Sequence, residues 1–251
     1  MQALSVTPLS GIGEIRPGDD LAHVLCASIR QIGSQLTPSD VLVVAQKAVS
    51  KAENRYVDLN SVQVSEKAAR IAAVTRKDPR LVELVLSEST EVLRSKPDVL
   101  IVRHKLGYVM ANAGIDRSNV GGTDRVLLLP ANPDESALLL RSRLATSLGV
   151  QLGIVISDSF GRPWRKGVTN VALGSAGLPS LIDRRGETDR NGRKLEVTEV
   201  AFADLIAAAA GLVMGEGSEG VPAALLSGLS WSAAANPARS LVRPLQEDLF
   251  R

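Results

Sequence analysis

Four short segments of the sequence place polar or glycine residues directly after apolar runs, where an active site could collect them. The first is QKAVSK at 46–51, which follows the apolar run 40–46. Lys47, Lys51 and the hydroxyl group of Ser50 can neutralise phosphate oxygens and donate hydrogen bonds to them. A solvated helix turn is the alternative interpretation. The first segment is therefore a candidate phosphate site.

The second segment, 111–119, has no periodicity and offers two side chains with chemical potential. Asp116 can ligate a hard cation, and Asn119 can bind an amide or the edge of a nucleotide base. Long aperiodic stretches are uncommon in compact chains unless they have a function. Both residues are also common turn formers, so this segment alone does not decide between a turn and a site.

The third segment, SDSFGRPWRKG at 157–167, is the most informative. We expect Asp158 and Ser159 at the end of a buried strand over 152–156, followed by a loop at 163–167. Cationic side chains follow the carboxylate, namely Arg162, Arg165 and Lys166. This combination suits Mg²⁺ or Mn²⁺ together with the anionic groups around such an ion.

The fourth segment is the glycine-rich stretch MGEGSEGV at 214–221, after an apolar helical run. Its backbone amides can approach phosphate groups, and Glu216 can bind a metal ion. A glycine-rich end of a helix is also an ordinary stop signal, and the spacing is not that of a P-loop. If this loop binds a nucleotide, it does so in another way.

Composition excludes several classes of function. The 251 residues carry 29 Lys and Arg against 27 Asp and Glu, and only 3% are aromatic, which disfavours binding of nucleic acid. Cys26 is the single cysteine, so we expect a buried thiol and no disulfide framework. With only His23 and His104 available, a metal ion should have oxygen ligands. No apolar run reaches 18 residues and no signal segment is evident, so we expect a cytoplasmic protein without a membrane partner.

The elements that must position these segments are interleaved helices and strands. Runs at 3–9, 40–46, 125–129, 151–156, 168–173 and 223–229 predict strands, and a hairpin closing at 105–107 is also expected. Helices are predicted at 18–33, 64–75, 79–87, 133–148 and 198–214, and a charged arm at 184–195. Because hairpins accompany the alternating helices and strands, we expect an α+β fold with mixed sheets, formed by 1–251 as a single unit.

Read together, the four segments resemble the coenzyme F420-0:L-glutamate ligase family, known as CofE and as the N-terminal part of FbiB-like proteins. The resemblance runs from about 6 to 228, and ISDSFGRPWR is its most specific part. The matching stretches occur in the family's order: DVLVVAQKAVSKAENR at 40–55, ANAGIDRSN at 111–119, ISDSFGRPWRKG at 156–167, DRRGETD at 183–189 and LVMGEGSEGVP at 212–222. The family usually has a proline and an apolar residue in place of Gly13 and Glu14. We expect no flavin-binding C-terminal domain of the FbiB type.

The resemblance implies a set of ligands for each bound group. Metal ligands carry over to Asp116 and Asp158 for one ion, and to Ser159 and Glu216 for a second ion. The ions are Mn²⁺ or Mg²⁺, and K⁺ is a further candidate. The GTP contacts carry over to Ile12, Gly13, Glu14, Ile15, Gln46, Lys47, Lys51, Asn119, Met214, Gly215, Glu216, Gly217, Ser218, Glu219, Gly220 and Val221.

The implied activity is a GTP-dependent ligase that joins the amine of L-glutamate to the carboxylate of the deazaflavin F420-0, and the implied assembly is a homodimer. The resemblance and the chemistry of the residues together imply activation of the carboxylate as an acyl phosphate. Lys47, Lys51, Arg162 and Arg165 are the candidates for stabilising the transferring phosphoryl group. The alternatives are another metal-dependent phosphoryl-transfer enzyme, such as a phosphatase, and a GTP-binding module without catalysis.

Overall fold

The structure is a computed structural model that describes residues 3–33, 35–118 and 120–248. Its helices are α1 (Leu21–Ile32), α2 (Gln46–Ala52), α3 (Glu66–Thr75), α4 (Pro79–Ser87), α5 (Pro133–Leu148) and α6 (Phe202–Met214). Its strands are β1 (Ser5–Pro8), β2 (Val41–Ala45), β3 (Tyr56–Asp58), β4 (Ser89–Lys96), β5 (Val99–His104), β6 (Val109–Ala111), β7 (Arg125–Leu127), β8 (Gly153–Arg162), β9 (Arg165–Ala176), β10 (Leu181–Asp183), β11 (Glu199–Ala201) and β12 (Ala223–Ser227). The predicted α+β class is confirmed.

The largest sheet has the strand order β1-β12-β2-β8-β9. Its central pair, β2 and β8, is parallel, and the pairs β1-β12, β12-β2 and β8-β9 are antiparallel. Residues of β2 alternate between two apolar layers, with Leu42 and Val44 on one face and Val41 and Val43 on the other. A strand covered on both faces has no polar alternation, which explains the uninterrupted apolar run in the sequence.

Helices cover both faces of this sheet. On one face α1, α2 and α5 pack with Leu25, Val49 and Leu144 against the strands. On the other face α6 contributes Ile206 and small side chains such as Ala207 and Ala210. Among the described residues, no helix combines the length and hydropathy that a membrane crossing requires.

A second group of elements lies between β2 and α5 in the chain. Helices α3 and α4 pack against the sheet β4-β5-β6 and the pair β3-β7, with Val82, Leu100 and Val126 in their shared core. Arg55 links this group together, because its guanidinium donates to the Leu129 carbonyl oxygen at 2.9 Å and approaches the Glu88 carboxylate at 3.3 Å. The segment between β6 and β7 carries Asp116, so this second group positions that carboxylate.

Local signals in the sequence give the observed ends of several helices. Helix α1 begins after Asp20, whose side chain accepts a hydrogen bond from the His23 N–H, and ends at Gly33 with a φ of 69°. Helix α5 begins after Asn132, whose side chain accepts from the Glu135 N–H, and ends at Gly149. The buried state predicted for Cys26 is also confirmed.

Several predicted elements have slightly different bounds in the structure, and in two places the type of element differs. Strand β8 does not end before Asp158 but continues to Arg162, and β9 already begins at Arg165, so the predicted loop at 163–167 is mostly strand. The reason is that this outer half of the hairpin is held by backbone pairing, for example between Asp158 and Val171, and needs no apolar alternation. In the predicted helix at 198–214, the residues Glu199–Ala201 instead form strand β11, and α6 begins only at Phe202.

Gly174 in β9 provides a test of how closely α5 approaches the sheet. A Cβ atom at this position would lie 2.2 Å from the Pro133 carbonyl oxygen and 2.8 Å from the Asp134 nitrogen. Gly174→Ala should therefore lower the free energy of unfolding by about 2–3 kcal/mol, because backbone atoms must move. Gly161→Ala in β8 is the control, since a Cβ atom there meets nothing within 4 Å. Denaturant unfolding measures both variants, and equal stabilities would contradict this view of the α5 contact.

Candidate functional site

A cleft of about 410 Å³ opens where β2 ends and α2 begins. Five separate parts of the chain line it: the segment after β1, the junction of β2 and α2, the segment between β6 and β7, the middle of the β8-β9 hairpin, and the loop after α6. Its walls consist of Ile12, Gly13, Glu14, Ile15, Ala45, Gln46, Lys47, Ala48, Lys51, Asp116, Ser157, Asp158, Ser159, Asn170, Met214, Gly215, Glu216, Gly217, Glu219, Gly220, Val221 and Pro222. Most of the predicted site residues therefore meet in one place.

The parallel pairing of β2 with β8 is what joins the first and third segments. Ala45 is the register partner of Ser157, so the residues that follow each of them enter the same cleft. Lys47 follows on α2, and Asp158 follows on β8. The end of β2 therefore lies beside the middle of β8, and residues of both strands at this point line the cleft.

Asp116 and Lys47 form an ion pair on one wall of the cleft. The Lys47 Nζ lies 2.6 Å from Asp116 Oδ2 and 2.9 Å from the hydroxyl oxygen of Ser118. The Ser118 backbone N–H and hydroxyl both donate to Asp116 Oδ1, at 2.6 and 2.7 Å. Burial alone would raise the pKa of Asp116, but the hydrogen bonds from Lys47 and Ser118 outweigh it and hold the pKa below its usual range. Asp116 is thus an ionised carboxylate near neutral pH.

Asp158 has the opposite electrostatic environment. Burial raises the pKa of this carboxyl group to about 6, and repulsion from the Asp116 and Glu216 carboxylates adds to the effect. A hydrogen bond of 2.9 Å from the Ser159 N–H and the charge of Lys47 oppose the rise without cancelling it. Three acidic side chains therefore direct negative charge to one region of the cleft.

The Lys51 ammonium group and the glycine-rich loop at 214–221 also line the cleft. No carboxylate pairs with Lys51 within the described part of the chain, so its ammonium group is available to a ligand. In the loop, the Gly217 N–H donates to Glu219 Oε2 at 2.7 Å. Gly215 has a φ of 72°, and a Cβ atom there would lie 2.3 Å from the Glu219 carboxyl carbon. The loop thus binds a carboxylate of its own chain through a backbone amide, as an anion site would.

Two polar residues of the cleft were missed by sequence reasoning. Ser157 is buried and lines the cleft, and its hydroxyl has no hydrogen-bond partner among the described residues. The position of Ser157 directly before Asp158 in the third segment was the feature of the sequence that could have identified it. Asn170 lines the cleft because it is the register partner of Ser159 in the β8-β9 hairpin. The sequence does not show which residues of two strands are paired, so this residue could not be predicted.

The donor set of the cleft fits a hard divalent cation in its chemistry. Asp116, Asp158 and Glu216 supply carboxylate oxygens, and Ser159 supplies a hydroxyl. Burial raises the pKa of Asp158, and the Asp116 and Glu216 carboxylates add to the effect, so a cation there would favour the ionised form. Within residues 3–33, 35–118 and 120–248, no three His, Cys, Asp or Glu side chains are close enough together to hold an ion. Lys47 is the group that compensates Asp116 in this arrangement.

Some predicted residues lie elsewhere. Arg162 and Arg165 are exposed at the tip of the β8-β9 hairpin, where the Arg162 guanidinium donates to the Lys166 carbonyl oxygen at 3.3 Å, and neither lines the cleft. Ser218 belongs to the glycine-rich loop but also does not line the cleft. Asn119 lies outside the described residues. The two arginines are therefore not positioned by this structure to contact a group bound between Lys51 and Asp158.

The pKa of Asp158 leads to a prediction about stability. Because the pKa of about 6 in the folded protein exceeds the ordinary aspartate value of 3.8, this carboxyl group destabilises the fold as the pH rises through that interval. Asp158→Asn removes the charge, so it should raise the free energy of unfolding at pH 8, in EDTA, by an amount on the order of 1–3 kcal/mol. The gain should shrink between about pH 6 and pH 4 and vanish below that range.

Thermal and denaturant unfolding at several pH values measure this difference. Asp98→Asn is the matched control, because Asp98 is an exposed carboxylate whose φ of 65° asparagine also tolerates. The control should show no comparable pH-dependent gain. A loss of stability for Asp158→Asn at pH 8 would contradict the electrostatic description of the cleft.

Comparisons with known proteins agree with the geometry. The family model described as F420-0:Gamma-glutamyl ligase matches residues 11–228. The chain is 42% identical to the coenzyme F420:L-glutamate ligase of Methanopyrus kandleri, over 100% of this chain and 99% of the relative. The protein of the same name from Methanothermobacter thermautotrophicus is 41% identical, over 99% of this chain and 99% of the relative. The one from Natronomonas pharaonis is 44% identical, over 99% of this chain and 93% of the relative. Since the match extends over nearly the whole chain and includes every segment of the cleft, the chain belongs to the F420-0:gamma-glutamyl ligase family.

Proposed function

We propose that this protein is a GTP-dependent ligase that joins the amine of L-glutamate to the carboxylate of F420-0 in the biosynthesis of coenzyme F420. The names of its relatives support the ligase reaction and both substrates. Addition of further γ-linked glutamates by the same reaction is part of the proposal. GTP is proposed as the nucleotide on the basis of the family resemblance.

The observation that carries the proposal is the charge arrangement of the cleft. Lys51 has no carboxylate partner among the described residues, and the glycine-rich loop has a backbone amide that binds a carboxylate. Three acidic side chains line the same cleft: Asp116, Asp158 and Glu216. A nucleoside triphosphate and a carboxylate substrate are both anionic, so a site for both must offer cationic and hydrogen-bond-donating groups. A volume of about 410 Å³ falls in the range of small-molecule sites.

The first chemical step activates the carboxylate of F420-0. A carboxylate oxygen attacks the γ-phosphorus of GTP, the bond to the β,γ-bridging oxygen breaks, and GDP leaves with that electron pair. Lys51, and Lys47 next to Asp116, are the cations that would stabilise charge on the equatorial oxygens. The product is an acyl phosphate, which replaces an oxide leaving group by phosphate.

The second step forms the amide. The neutral amine of glutamate attacks the acyl carbon, the carbon–oxygen bond to phosphate breaks, and the nitrogen loses one proton. No side chain forms a covalent intermediate in this scheme, which fits a cleft that contains neither a cysteine nor a histidine. The buried hydroxyl of Ser157 and the amide of Asn170 are available to orient ligand oxygens.

Divalent cations are proposed as cofactors, held by Asp116 and Asp158 for one ion and by Ser159 and Glu216 for a second. Mn²⁺ or Mg²⁺ would supply charge compensation between the nucleotide and the substrate carboxylate. Lys47 is then free to turn from Asp116 toward a phosphate oxygen. The K⁺ ion and the homodimer implied by the resemblance stay predictions.

The proposed function is tested by incubating the protein with GTP, Mn²⁺, L-glutamate and F420-0 and by following product mass. We expect F420-0 to gain one glutamate residue for each GTP converted to GDP and phosphate. With ATP at the same concentration, the rate should be lower by about tenfold or more.

Each alternative has its own outcome in this assay. Phosphate release that needs neither F420-0 nor glutamate would identify a phosphatase. Binding of GTP without turnover in the complete mixture would identify a binding module. Equal rates with ATP and GTP would remove the nucleotide preference and leave the ligase reaction in place.

Asp158→Asn should separate stability from activity in this protein. The variant keeps the size of the side chain and removes a charge that the proposed metal site needs, so turnover should fall by about two orders of magnitude or more. The Mn²⁺ concentration for half-maximal rate should rise at the same time. Asp98→Asn serves again as control, and circular dichroism verifies that both variants fold. Near-wild-type turnover at low Mn²⁺ would exclude Asp158 from the site.

A further inference from the structure

A second cleft, of about 310 Å³, is bordered by the same β8-β9 hairpin as the first and has no part in the proposed phosphoryl transfer. It is formed by the β5-β6 hairpin, the β8-β9 hairpin, the beginning of α6 and the segment after residue 240. Its size is at the lower end of the range for small-molecule sites. The side chains that line this cleft indicate which kind of ligand it could bind.

The walls of this second cleft are mainly apolar and include two aromatic rings. Tyr108 and Phe160 lie edge to face, with ring centroids 6.0 Å apart. The Tyr108 hydroxyl is already bound, since it donates to the Leu173 carbonyl oxygen at 2.6 Å, so the residue offers its ring. Val171 and Val242 extend the apolar surface. Such walls fit a flat, largely apolar ligand.

Two polar groups of the cleft have hydrogen-bonding capacity that the described chain does not use. The Asp204 carboxylate accepts one hydrogen bond, from the Ala172 N–H to Oδ1 at 2.8 Å, and Oδ2 has no donor among the described residues. Burial raises the pKa of this carboxyl group, as expected where its charge is poorly compensated. Arg243 also lines the cleft without a carboxylate partner in the described ranges. A matching ligand would offer an N–H donor to Asp204 and an acceptor oxygen to Arg243.

The two clefts share the β8-β9 hairpin. Asp158 borders the first cleft, and its register partner Val171 borders the second. Paired residues of antiparallel strands have Cβ atoms about 4.5–5.5 Å apart on the same face. Phe160, two residues after Asp158, lies on that face as well. One elongated ligand could therefore reach from the first cleft into the second.

We propose that the second cleft binds the heteroaromatic ring end of the acyl substrate while its carboxylate lies in the first cleft near Asp158. This inference rests on the proposed function, which makes the acyl substrate a deazaflavin. The pyrimidine part of a deazaflavin carries a ring N–H between two carbonyl groups, which matches Asp204 as acceptor and Arg243 as donor. Phe160 and Tyr108 supply the aromatic wall for the ring.

The test measures equilibrium binding of F420-0 by calorimetry, in the absence of glutamate and nucleotide, so that it does not depend on turnover. Phe160→Ala and Asp204→Asn should each weaken binding by about tenfold. Val168→Ala is the control, since Val168 is an exposed residue of the same hairpin that does not line the cleft. It should leave F420-0 binding unchanged, and all three variants should keep the affinity for GTP.

A second probe is a deazaflavin that lacks the phosphate and acyl tail. It should compete with F420-0 and bind together with GTP. Unchanged F420-0 binding in Asp204→Asn, a substitution that preserves shape and the Ala172 hydrogen bond, would overturn the inference, as would displacement of the tailless probe by GTP. Failure of the ligase assay with these binding results intact would instead reject the proposed function and leave the ring site standing.

Discussion

The parallel pairing of β2 and β8 is the contact on which the site depends. Ala45 and Ser157 are register partners at the cleft, where β2 ends and β8 continues into its hairpin with β9. A register shift by one residue would reverse which face each side chain of β8 occupies. The pairing is fixed by apolar layers on both faces, where Val43, Val44, Val155 and Ile156 are fully buried. The polar site thus has its position set by apolar packing beneath it.

Charge at this edge of the sheet is arranged at a cost to the fold. Asp158 carries a pKa raised by burial and by two neighbouring carboxylates, whereas Asp116 is held ionised by Lys47 and Ser118. Two carboxyl groups in one cleft therefore differ in their readiness to lose a proton. Functional sites commonly retain such unfavourable charge because a ligand or substrate compensates it. The hydroxyl of Ser157, which has no partner within the described part of the chain, is a second unsatisfied group of the same cleft.

The β8-β9 hairpin borders both clefts, because different residues along its two strands line each of them. Its inner half belongs to the central sheet, and its outer half projects beyond the sheet as a two-stranded ribbon held mainly by backbone pairing. Asp158 and Asn170 serve the first cleft, and Phe160 and Val171 serve the second. The exposed tip, with Trp164 at a φ of 57°, lies outside both. The position of a residue along this hairpin therefore decides which cleft it borders.

The sequence by itself determined the elements whose signals are local. Helix α4 has its predicted bounds because Pro79 begins it, and Gly33 and Gly149 end α1 and α5 through left-handed backbone conformations. The composition of the four polar segments, together with the family resemblance, also identified most of the residues that line the first cleft. Residue type and local spacing were sufficient for these conclusions.

Only the tertiary structure decided which of those segments meet and which side chains they present. The continuation of β8 through Asp158 depends on pairing with β9, a contact between distant residues that leaves no apolar pattern in a half-exposed ribbon. The same pairing brings Asn170 into the cleft and carries Arg162 and Arg165 away from it. The ion pair of Lys47 with Asp116 joins residues 69 positions apart, on α2 and before β7. Such contacts depend on strand register and on the path of the chain between distant strands. Patterns of residue type along the sequence report on neighbouring residues, so they do not show these contacts.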